Sequence, residues 1–279
     1  MGPPPPTACV LWLHDLGEQN ARGLAEHAQS HIPWCGFSCP SAERRLAAAS
    51  DGGEPQWVPS WFEEPLQPAE DRPPPPDLGE AIKLVHQRIE FLEDSMRLAP
   101  RRIVVGGFGQ GGSLAIAAGL AYSKRLGGIL CHSGRVLEEP TALRAHARRG
   151  ANADTTIALL HGSADGVVDA SAATAGAAKL RAAGIADVVL QNFEAQEHVM
   201  SPVSLGRTID FFRARLPCVD VSAAEDWKAE QVWGSGRVGI QPPGFRPQSH
   251  DRLHVQVTLA KRSHLPTHQP THQPTHQPT

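Results

Sequence analysis

Six short apolar runs alternate with segments of helical spacing, and this restricts the fold more than any other feature of the chain. The runs are ACVLWL (8–13), CGFSC (35–39), RIVVGG (102–107), GGILCH (127–132), TIALLH (156–161) and DVVLQNF (187–193). Their length and their β-branched, apolar content predict strands. Several are continuous rather than alternating, as in a sheet covered on both faces. Residues 20–31, 78–97, 111–124, 170–183 and 202–215 carry the spacing of helices, with Asp77, Asp169 and Ser201 placed to cap three of them. Strands alternating with helices predict an α/β fold, a mostly parallel sheet with helices on both faces. In such a fold the ligand site lies beyond the carboxyl ends of the strands. The residues to watch are therefore His14-Asp15-Leu16-Gly17, Gly107-Phe108-Gly109-Gln110, His132-Ser133-Gly134, His161 to Asp165, and Glu197-His198.

The stretch VVGGFGQGGS (104–113) supports two chemistries. As G-x-G-x-x-G, through Gly107, Gly109 and Gly112, it matches a dinucleotide-binding turn, which requires a carboxylate about twenty residues further on for the ribose. The next strand ends in His132-Ser133-Gly134-Arg135, and no carboxylate comes before Glu138. At least two strands also precede the turn, so it does not open the sheet as a dinucleotide turn should. As G-x-S-x-G, with Gly109 at the serine position, it is a nucleophile elbow, and that reading requires an Asp and then a His after later strands. Asp165 follows TIALLHGSA and His198 follows DVVLQNFEAQE, in the required order.

The length of 279 residues suits one large domain with appendages: an N-terminus at 1–7 without order, a domain at 8–216, and a largely disordered extension at 217–279. The extension ends in LPTHQPTHQPTHQPT, whose His268, His272 and His276 are either a solvated tail or metal-binding side chains. The acidic, proline-rich segment Glu63 to Asp77 predicts a surface loop bordering the site. A net charge of −3 argues against a nucleic-acid partner. The longest apolar run, Leu114 to Tyr122, is too short to span a bilayer. Five scattered cysteines point to a reducing, cytoplasmic setting rather than a disulfide framework. Met1-Gly2 is followed by Pro3 to Pro6, which breaks the myristoylation pattern.

Over about residues 8 to 216 the chain resembles the acyl-protein thioesterase and carboxylesterase branch of the α/β-hydrolases. The resemblance rests on LHDLGE (13–18), CPSAERR (39–45), PSWFEE (59–64), RRIVVGGFGQGGSLA (101–115), LCHSGR (130–135), HGSADGVV (161–168) and Glu197-His198. It implies an α/β-hydrolase fold acting on fatty acyl thioesters or esters, S-acylated proteins among them, with peripheral membrane contact and neither cofactor nor metal. It places the serine nucleophile at Gly109, the general base at His198 and its orienting carboxylate at Asp165. The backbone N–H groups of Leu16 and Gln110 become the oxyanion hole.

Glycine has nothing to acylate, so an inactive or severely impaired enzyme is expected, or a non-catalytic protein that still binds acyl chains. Three substitutes for the nucleophile are conceivable: Ser113 one helical turn on, Ser133 after the next strand, or water activated by His198. Asp15 stands where the family has glycine, and its carboxylate points either inward, against the oxyanion, or to solvent. Gly166 and Glu197 replace a proline and a glycine in the loops that carry Asp165 and His198, which predicts looser placement. Gly109 itself tolerates the strained elbow conformation at little cost. Trp57, Trp61, Phe62 and Leu66 either line an acyl-chain groove or serve as ordinary core and loop anchors.

Overall fold

The computed structural model describes residues 5–18, 22–47, 54–63 and 74–219. Leu66, most of the proline-rich segment and the histidine repeats lie outside the described residues. Six strands form one parallel sheet: β1 (Ala8–Leu13), β2 (Cys35–Ser38), β5 (Ile103–Phe108), β6 (Gly128–His132), β7 (Ile157–Gly162) and β8 (Val188–Phe193), in the order β2-β1-β5-β6-β7-β8. A separate antiparallel pair joins β3 (Arg44–Ala47) to β4 (Gln56–Pro59). The helices are α1 (Arg22–Gln29), α2 (Leu78–Met96), α3 (Gly109–Ala121), α4 (Pro140–Arg149), α5 (Ala170–Ala183) and α6 (Pro202–Arg215).

The period of two along each strand divides the core between the two faces. Register places Leu11 beside Val105, Val105 beside Ile129 and Ile129 beside Ile157, and this face packs on α2, α3 and α5 through Val85, Ile89, Leu114 and Leu180. The other face, with Val10, Trp12, Val104, Leu130 and Leu160, packs against Ile32 and against Phe212 of α6. Every residue of β1, β5, β6 and β7 is buried, which accounts for their unbroken apolar runs.

Where the structure departs from expectation, the causes are local. Helix α3 starts at Gly109, so the glycines sit inside its first turn. Helix α4 has a single buried residue, Leu143, and the β3–β4 pair is largely exposed, so neither has an apolar pattern to reveal it. Strand β7 begins at Ile157, one residue into its run, and the Thr156 hydroxyl before it donates to the Asp187 carboxylate. Asp169 and Ser201 cap as expected, accepting from the N–H groups of Ser171 and Ser204. Asp77 does not: its carboxylate pairs with Arg45 and accepts from the N–H of Glu63, fixing the start of α2 to the β3–β4 pair.

Candidate active site

The carboxyl ends of β1, β5, β7 and β8 bring Asp15, Gly109, Asp165 and His198 to one place. Gly109 lies at the strand-to-helix turn with φ of +52°, a left-handed conformation that costs glycine little. The turn packs closely on β1. A Cβ at Gly111 would strike the backbone carbonyl groups of Leu13 and His14, so only glycine lets α3 start there. The side chain of Gln110 faces away from the turn, accepting from the N–H of Trp61 at 2.8 Å and donating to the carbonyl of Phe62 at 3.0 Å.

Asp165 is fully buried and receives the N–H groups of Val167 and Val168 on Oδ1 at 3.0 and 2.9 Å. His198 Nδ1 lies 2.8 Å from its Oδ2. Burial alone would raise this carboxyl, but the Val168 N–H, His198 and the Val167 N–H outweigh it and hold Asp165 below the usual carboxylate range. The loops containing Gly166 and Glu197 place the Asp165–His198 pair at hydrogen-bonding distance.

The other ring nitrogen of His198 meets Asp15. Nε2 is 2.9 Å from Asp15 Oδ2, and the N–H of Gln110 donates to Asp15 Oδ1 at 2.7 Å. Asp15 points inward, and the question left open by the sequence is decided. Burial alone would lower the imidazole, yet the bonds to Asp15 and Asp165 push its pKa above the ordinary value. Each ring nitrogen faces a carboxylate oxygen within 2.9 Å, a geometry that suits an imidazolium donating from both. Phe108 packs edge-on against this ring at 4.8 Å.

The surrounding groups lock Asp15 further. Ala42 N–H donates to His14 Nε2 at 2.9 Å, so the His14 proton sits on Nδ1 and is donated to the Asp15 carbonyl at 2.6 Å. Glu18 accepts from the Asp15 N–H at 3.4 Å. Leu16 is half-buried in the turn that follows. His132, at the end of β6, lies between Phe108 and Phe193 with no hydrogen-bond partner among the described residues on either nitrogen, and burial drives its pKa down to about 3.

Among the described residues, neither Ser113 nor Ser133 hydrogen-bonds to His198. Ser113 Oγ donates to the carbonyl of Gly109 at 3.1 Å and accepts the N–H of Arg135 at 2.9 Å. Ser133 Oγ is buried with no hydrogen-bond partner, His198 included. An imidazolium already bonded to Asp15 is no base for a water. Trp61 and Phe62 are buried in the core, Trp61 donating to the carbonyl of His14 and stacking on its ring at 4.9 Å, while Trp57 is exposed. A cleft of about 470 Å³ lies over the β8–α6 loop, lined by Phe193, Gln196, Val199 and others, and includes neither Asp15 nor Gly109. Among the described residues no cluster of three or more His, Cys, Asp or Glu is placed to hold a metal ion.

Residues 2–216 match the phospholipase/carboxylesterase family. The chain belongs to that family. An acyl-protein thioesterase 1 of Gibberella zeae is 29% identical over 221 residues, which cover 76% of this chain and 92% of the relative. A probable carboxylesterase of Oryza sativa subsp. japonica is 33% identical over 185 residues, 63% of this chain and 75% of the relative. Among solved structures, Arabidopsis thaliana SOBER1 superposes with a TM-score of 0.66 at 26% identity, covering 75% of this chain and 99% of that one. The carboxylate–imidazole pair of this chain lies just beyond the ends of β7 and β8. Asp15 against it is the feature that sequence reasoning flagged without placing. A usable signal was the pairing of two departures: a small residue at 109 leaves room, and a larger one at 15 takes it.

Proposed function

We propose that the chain is an acyl-protein thioesterase/carboxylesterase-like protein whose ancestral reaction is hydrolysis of fatty acyl thioesters or esters, crippled here because Gly109 replaces the nucleophilic serine. The observation that carries the reading is the Asp165–His198 pair directed at the β5–α3 turn. In a working copy, His198 takes the serine proton, the hydroxyl oxygen attacks the acyl carbonyl, and the N–H groups of Leu16 and Gln110 hold the tetrahedral oxyanion. His198 then returns the proton to the leaving group, and water repeats the sequence to release the fatty acid. Without the serine oxygen no acyl-enzyme forms. In subtilisin the loss of the serine costs about 10⁶ in turnover and leaves roughly 10³ to 10⁴ over water.

A second reading, an acyl-binding protein without catalysis, is favoured by Trp57, whose side chain is exposed. S-acylated proteins at a membrane surface are then its partners. No described helix is long and apolar enough to cross a bilayer. The five free thiols suit a reducing, cytoplasmic compartment. The test is turnover of p-nitrophenyl decanoate and labelling by a fluorophosphonate probe with the purified chain. Both should stay at background, and activity at the level of a working esterase would overturn the proposal. Retention on an immobilised, non-hydrolysable palmitoyl analogue tests the second reading, and no retention would remove it.

A further inference from the structure

We infer that Asp15 is an internal product mimic: its carboxylate occupies both the nucleophile's place opposite His198 and the oxyanion-binding N–H of Gln110, so the site is closed at residue 15 as well as emptied at residue 109. The inference rests on the serine-hydrolase reading of the site. A fatty acid leaving such a site has two carboxylate oxygens, one held by the oxyanion donors and one facing the imidazole. Asp15 makes the same pair of contacts, with Oδ1 2.7 Å from the Gln110 nitrogen and Oδ2 2.9 Å from His198 Nε2. Tethered to β1, it competes with a free acyl group at a high effective concentration.

Sterics make the two departures interdependent. A Cβ at residue 109 would overlap the Asp15 carboxylate, with even its more distant oxygen only 2.6 Å away. Asp15 as placed and a serine at 109 are mutually exclusive. Electrostatics point the same way. The Asp15 side chain is 17% exposed, and His198 is its sole ion-pair partner among the described residues. The charged and titratable groups around the pair are Asp165, Glu18, the neutral His14 and His132, and His161, whose Nε2 lies 3.4 Å from Asp165 Oδ2. A negative group at the oxyanion hole opposes the charge that develops in the transition state. Restoring serine alone therefore pushes the Asp15 carboxylate off its present contacts but leaves its negative charge beside the oxyanion hole, and the site stays impaired.

The test compares the unmodified chain with D15G, G109S and D15G/G109S, using fluorophosphonate labelling and p-nitrophenyl decanoate turnover, with circular dichroism to verify folding. D15G introduces the glycine of the resembled family. The double variant should label about 10²-fold or more faster than G109S, the size of effect expected when an oxyanion donor is freed. Labelling of G109S as fast as that of the double variant would overturn the inference and leave the serine-site reading intact. A folded double variant that does not label would instead sink the serine-site reading. The inference keeps its own readout in D15G, which retains Gly109: by NMR the His198 ring should titrate at lower pH than in the unmodified chain. An unchanged titration would overturn it whatever the labelling shows.

Discussion

His198 is held by two carboxylates, and its effect on stability has a definite sign. Its folded pKa is raised, so the stabilisation is fully present below the unfolded value of about 6.5 and is lost as pH rises through the folded value. Asp165 is lowered, so its share is present above the usual carboxyl value of about 3.9 and is lost as pH falls through the folded value. The combined stabilisation is greatest at about pH 4 to 6.5. Thermal unfolding of the chain and of His198→Gln should show a Tm gap near pH 5.5 that narrows by pH 9. A gap independent of pH would show that His198 is not held as an imidazolium. Asp165 and His198 were legible in the sequence because chain order and position after a strand specify them. The direction of Asp15 was not, since it depends on the space left by a residue distant in sequence.

At the scale of elements, the six sheet strands and five of the helices follow from apolar runs and helical spacing, because burial on both faces of the sheet leaves a strong pattern. Helix α4 and the β3–β4 pair left none, since they bury few side chains, and Asp77 misled because a nearby arginine competes for its carboxylate. The junction that matters most for the site is α3 on β1, where Gly111 lies against the carbonyl groups of Leu13 and His14. Backbone on both sides cannot yield as a side chain can, so Gly111→Ala should destabilise the chain by about 3 kcal/mol, the upper end of ordinary overpacking. Gly206, in α6, has open space around its Cβ position. Gly206→Ala should instead be neutral or gain up to about 1 kcal/mol from helix propensity. Urea unfolding of both variants checks the contrast, and equal effects would mean that the α3–β1 contact is not tight.

For the molecule as a whole, the cysteines report whether the sheet opens as one unit. Cys9 lies in β1, Cys35 starts β2 and Cys131 lies in β6; all three are buried, while Cys39 is half-buried and Cys218 exposed. Burial also disfavours the reactive thiolate: it pushes Cys9 well above the ordinary thiol value and Cys35 and Cys131 up to about 12. In a thiol–disulfide exchange assay under native conditions, Cys218 should react first, Cys39 more slowly, and the other three only as the chain unfolds. Because β1 pairs with both β2 and β5, and β5 with β6, opening any one of these strands exposes its neighbours. The three slow thiols should therefore share one rate in the native chain, and that rate should rise in Gly111→Ala in proportion to the lost stability. Separate rates for Cys35 and Cys131 would show instead that the β2 edge opens independently of the strands that carry Asp15 and Gly109.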